Sequence, residues 1–187
     1  MIIEAFLISI ILGLVRRGSV RNLARLPLRH TFLFILPLLL FGVIAAVARG
    51  NPALKPFARA GNMAQYLVML TAIMLNLHIR EMLIAGFGTF LNFLALAVNN
   101  GMMPVSLNAL RIAGMPNALT SDAVRHVAVT PETRLKWLTD VIPVPLGHPC
   151  LSEVASVGDA LVAVAIFLLI QHYMCALSPV KEPSAGE

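Results

Sequence analysis

The sequence predicts an all-α integral membrane bundle of five transmembrane helices, with short amphipathic helices in one outer loop. Three observations carry this reading. Of the 187 residues, 58% are hydrophobic and only 12% charged, and the mean hydropathy is +0.84; water would not solvate the surface of a domain so composed. The apolar residues form continuous runs rather than alternating with polar ones, which argues against strands. Most runs approach the roughly 20 residues that a helix needs to cross a hydrocarbon layer about 30 Å thick.

The first run, Ile2 to Val15, is short and carries Glu4 at its start. Positive charge follows it, at Arg16 and Arg17, whereas a cleavable signal peptide has its charge first. Arg16, Arg17, Arg21, Arg25 and Arg29 all fall in the first connection. The positive-inside rule therefore sets this connection on the inner face of a bacterial cytoplasmic membrane, with the N-terminus outside and the C-terminus inside. Four of these arginines recur every fourth residue, with Leu23, Leu26 and Leu28 among them, until Pro27 interrupts any helix. Such a segment lies in the plane of the inner leaflet, where each arginine near anionic lipid contributes about 1 kcal/mol.

Runs 31–48, 62–79, 82–99 and 154–176 supply the remaining spans of a single domain, 1–177, and the tail 178–187 reads as disordered. The net charge of +5 belongs to the first connection. It does not indicate nucleic acid, which would need a folded basic surface with stacking groups. Cys150 and Cys175 bracket the fifth run. A spanning helix between them excludes a disulfide, since bridged Cα atoms lie within about 7 Å.

A polar segment, 100–153, separates the last two runs and faces outward on this topology. Asn99, Asn100 and Gly101 form a helix stop, because Asn and Gly tolerate the left-handed conformation, and Pro104 reinforces it. Ser106 caps a short helix through Ala113, closed by Gly114. A second short helix is predicted from Thr130, with Pro131 and Glu132 in its first turn and Leu135, Leu138 and Ile142 at helical spacing. Its Trp137 suits a membrane interface.

The strings Asn99-Asn100-Gly101-Met102-Met103-Pro104-Val105, Asp140-Val141-Ile142-Pro143 and Ser156-Val157-Gly158-Asp159 resemble the signature of a family of small multi-pass bacterial membrane proteins known only as a domain of unknown function. The resemblance covers nearly the whole chain. It implies an Asn-Gly-Gly-x-Met-Pro-Val turn and a last helix opening with Ser-x-Gly-Asp, and Asn100 stands where the family pattern has Gly. It implies no reaction.

Asp159 is the leading functional candidate, since a carboxylate within a membrane helix is costly unless it meets a cavity, a partner or a helix end. The bland reading is a capping box with Ser156, in which the two side chains satisfy free amides of the first turn. Asn92, midway along the fourth run, reads as an interhelical hydrogen bond. Asp140 and His148 are loop candidates near the same outer mouth. On the inner side His78, Glu81 and His172 lack metal-ligand spacing, and Gly86 and Gly88 suit close packing better than a nucleotide loop. No cofactor is implied. Three functions follow: a non-catalytic accessory or scaffold component contacting a membrane-protein partner; a small permeation unit with a polar mouth at Asn99, Asn100 and Asp159; or an intramembrane enzyme on a lipid-linked substrate, with Asp140, His148 or Asp159 as acid or base.

Overall fold

The computed structural model describes residues 1–48, 51–119, 125–148 and 152–176; Cys150 and the tail expected to be disordered lie outside them. The long helices are α1 (Ile2–Val15), α2 (Phe32–Ala48), α3 (Lys55–Met74), α4 (Glu81–Val98) and α6 (Val157–Ala176), with a short α5 (Leu107–Ile112) between the last two. Strands β1 (Met103–Val105), β2 (His126–Ala128), β3 (Ile142–Val144) and β4 (Glu153–Ala155) lie in the polar segment.

The expectation of five transmembrane helices is overturned. Among the described residues, two helices are long and apolar enough to cross a membrane, α4 and α6. Helix α1 has 14 residues, about 21 Å of rise against a hydrocarbon layer of about 30 Å. Helix α2 has 17, with Pro37 withdrawing one amide from its ladder. Helix α3 begins at Lys55 rather than Asn62, and its 20 residues include Lys55, Arg59, Asn62 and Gln65. Length and polarity, which a scan for apolar runs weighs loosely, remove these three.

The helices stand in a row, α1 against α6, α6 against α4, α4 against α3 and α3 against α2. Helices α1 and α6 run parallel. The N-terminal amine pairs with Glu153 just ahead of α6, the Ser9 hydroxyl donates to the Phe167 carbonyl at 2.8 Å, and the Ser19 amide donates to that of Met174 at 3.1 Å. Gln171 fastens the same pair from the other side, its amide donating to the Ser9 carbonyl at 2.6 Å while its oxygen accepts from Arg16 at 2.8 Å. The basic connection is pinned by Asn76, whose side chain accepts from the Arg29 amide at 2.7 Å and donates to the Arg29 carbonyl at 2.9 Å. A buried amide so completely engaged costs nothing to bury. Part of this connection, Val20–Arg25, is a 3-10 helix, and Arg16, Arg17, Arg21, Arg25 and Arg29 are all exposed.

The polar segment folds into a cap over one end of the row. Strand β1 pairs in parallel with β2, and β3 pairs antiparallel with β4. Residue 140 links the two sheets, its amide donating to the Pro104 carbonyl at 3.0 Å and its carbonyl accepting from the Ser106 amide at 2.9 Å. Ser106 caps α5 by accepting from the Ala109 amide at 3.2 Å. The second amphipathic helix expected from Thr130 is absent, a further correction to the predicted fold class. Asn99 grips the Arg134 peptide at both its N–H and its C=O, each at 3.0 Å, and Leu135 adopts a left-handed φ of 49°. Only one 3-10 turn, Lys136–Leu138, follows. Local helical spacing yields here to long-range pairing. Leu138 and Met103 pack on Ala95 and Leu96, which seats the cap on α4.

Candidate functional site

The site grows from the first turn of α6. The Ser156 hydroxyl accepts from the Asp159 amide at 2.9 Å, and the Asp159 carboxylate accepts from the Ser156 amide at 3.0 Å, so the two residues form a reciprocal capping box. Asn92 completes it from α4. Its amide donates to the other Asp159 oxygen at 2.8 Å, and its carbonyl accepts from the Ser156 hydroxyl at 2.6 Å. Gly158 makes this possible. A Cβ there would strike the Asn92 side chain and lie 2.5 Å from the Gly88 carbonyl, so the two glycines let α4 and α6 approach at the level of the polar cluster. The Ser-x-Gly-Asp string thus encodes a cap, a close approach and a second cap.

The Asn-Asn-Gly turn lies across the end of α4. Asn99 ends the helix, and Asn100 and Gly101 have φ of 58° and 73°. A side chain at Gly101 would also meet the Arg59 carbonyl at 2.7 Å. Asn62 donates to the Gly101 carbonyl at 3.1 Å. Met103 and Pro104 are buried within the cap, in β1, Met103 bordering the cavity between cap and helices.

Between cap and helices lies a cavity of about 300 Å³, whose polar lining includes Tyr66, Arg125, His126, Asp140 and Asp159. Arg125 is held in place. Its guanidinium donates to the Tyr66 hydroxyl at 2.8 Å and lies 5.5 Å and 5.6 Å from the Phe41 and Tyr66 ring centres, tying β2 to α2 and α3. Burial, helped by the Asp159 charge, pushes the Asp140 carboxyl up to about 8. Burial, helped by the Arg125 charge, pulls the half-exposed His126 imidazole down to about 4. At pH 7 the acid keeps its proton and the ring stays neutral, so the 3.6 Å between His126 Nε2 and Asp140 Oδ2 separates neutral groups, not an ion pair.

The predicted candidates divide between two places. Asp140 and Asp159 share this cavity, with Ser156 and Gly158 beside them. Asn99, Asn100 and Pro104 line a second one of about 430 Å³, together with Arg59 and Arg134. The single mouth expected at Asn99, Asn100 and Asp159 is therefore two openings. His148 lines neither. At the opposite end of the row, His172 pairs with Glu81 at 2.8 Å and His78 contacts the Pro27 carbonyl at 3.0 Å. Among the described residues, no group of three metal-ligating side chains is placed to hold an ion. Sequence reasoning missed Tyr66, Arg125 and His126. The one signal for Arg125 and His126 is the strand-like Val124-Arg125-His126-Val127-Ala128-Val129, where two polar residues interrupt an apolar stretch; Tyr66 has none.

Residues 25–171 match the model of a family of unknown function, DUF5317, and the chain belongs to that family. An uncharacterised protein of Thermotoga maritima is 26% identical over 170 residues, spanning 90% of this chain and 89% of the relative. No solved structure matches the chain.

Proposed function

We propose that the chain is a membrane-embedded, non-catalytic binding component whose cap-covered cavity takes a small polar ligand. In this reading α4 and α6 cross the bacterial cytoplasmic membrane and the exposed arginines rest on the anionic inner leaflet. The membrane part is supported by large apolar side chains left bare on the helix row, including Leu38 and Leu39 of α2, Phe87 and Phe90 of α4, and Leu168 of α6. Exposed apolar surface of this kind marks a protein or membrane interaction site, and lipid solvates it.

The cavity carries the binding part. At neutral pH it presents a protonated carboxyl at Asp140 and a neutral imidazole at His126, with Arg125 and Asp159 also in its lining, a mixture of donors and acceptors suited to orienting a compact polar molecule. A catalytic alternative rests on one observation: a carboxyl titrating at about 8 is well matched to donating a proton near neutrality.

Three outcomes test the proposal. The expressed chain should sediment with membranes and resist carbonate extraction; release into the carbonate supernatant would contradict the membrane reading. In mild detergent, a panel of small amines, carboxylic acids and sugars screened by thermal shift should contain a saturating stabiliser whose effect disappears in Asp140→Leu. A wild-type chain unmoved by the whole panel would count against binding, and turnover of that ligand, lost in Asp140→Asn with binding kept, would select the catalytic alternative.

A further inference from the structure

The second cavity, of about 430 Å³, opens where α4 ends, and Val98, Asn99 and Asn100 form one wall. Arg59 enters it from the first turns of α3 and Arg134 from the cap. Neither guanidinium has a hydrogen-bond or ion-pair partner among the described residues, although Glu132 lines the same groove. A hydrogen bond with Thr130 holds that carboxylate below its ordinary range, so it offsets one of the two arginine charges. The lining thus carries two cations and one carboxylate, a net positive charge that attracts an anion. Arginine's planar fork matches phosphate oxygens in particular. Depth then selects the source. The groove lies at the end of α4, one of the helices apolar and long enough to cross a bilayer, where a hydrocarbon layer gives way to headgroups.

We infer that Arg59 and Arg134 form a binding site for the phosphate group of a phospholipid headgroup. This rests on the membrane location proposed above, but not on the ligand cavity beneath the cap.

Trp137 is the chain's single tryptophan and lies exposed three positions beyond Arg134, so its fluorescence reports on the neighbourhood of the site. The full chain in neutral detergent is titrated with dihexanoyl phosphatidylglycerol and, separately, with sodium phosphate. A saturable change with the lipid is expected, weakened at least tenfold in Arg59→Gln and in Arg134→Gln. It should persist in Arg80→Gln, altered at the far end of α4, and in Asp140→Leu, altered in the other cavity. Circular dichroism and elution volume identify any variant that fails to fold. Saturation by lipid alone assigns the site to the membrane; equal saturation by inorganic phosphate keeps the phosphate site and assigns it to a free anion. Saturation by neither, or the same loss in Arg80→Gln as in the two site variants, overturns the inference.

Discussion

The side-chain amide of Asn92 donates to the carboxylate of Asp159 across 2.8 Å, joining the middle of α4 to the first turn of α6, 67 residues further along the chain. With the Ser156 hydroxyl on its other atom, Asn92 satisfies one oxygen of the carboxylate and the hydroxyl proton of the cap at once. Asn92→Ala is expected to destabilise the chain by about 2 kcal/mol, because it strands partners in a buried setting. Denaturant titration in mixed micelles measures this. An unchanged midpoint would mean that water takes over both bonds.

Gly158 and Gly42 should respond oppositely to the same substitution. At Gly158 an added methyl meets the Gly88 carbonyl and the Asn92 side chain, whereas at Gly42, inside α2, nothing lies within 4 Å. Gly158→Ala is therefore expected to cost about 3 kcal/mol through forced separation of the helices, and Gly42→Ala to gain about 0.5 kcal/mol from helix propensity. Thermal midpoints of the two variants provide the comparison.

The dependence of stability on pH has a definite sign. The folded chain keeps the Asp140 proton up to about 8 where the unfolded chain releases it near 3.8, so stability falls as pH rises through that interval. His126 acts in reverse: the unfolded chain takes up a proton near 6.5 that the folded chain refuses until about 4, so stability falls as pH drops. The two oppose each other between 4 and 6.5, and Asp140 alone acts from 6.5 to 8. Unfolding midpoints should decline across that upper range in the wild type and stay level in Asp140→Asn. A decline that persists in the variant would locate its source elsewhere.

Gln171 bonds Ser9 twice and Arg16 once. Gln171→Leu should loosen α1 from α6 at a cost of about 1–3 kcal/mol. Trypsin cleavage after Arg16 and Arg17 should then accelerate while the cap stays protected. Equal protection in both forms would show that packing alone holds α1.

Residues whose roles are local were legible in the sequence. Ser156 and Asp159 have the spacing of a capping box, and a lone amide such as Asn92 in an apolar helix requires a partner. Asn100 and Gly101 sit where a helix must stop and the backbone must turn left-handed. Roles set by distant pairing were hidden. Leu135 sits at a helical spacing that the Asn99 grip on Arg134 breaks, and Arg125 and His126 reach the cavity only because β2 pairs with β1. Three-residue strands carry too few side chains for a period-2 pattern to register. The number of membrane-crossing helices was misread for a different reason: α1, α2 and α3 are apolar enough to attract notice but too short or too polar to qualify.

Helix α1 packs mainly on α6, so during synthesis it must wait for a much later segment before its docking partner exists. Until α6 is made, its inward face with Ser9 and Gly13 is without the neighbour that covers it. A chain terminated early would display that face permanently, giving a cell's quality-control proteases a ready mark by which to tell unfinished copies from finished ones.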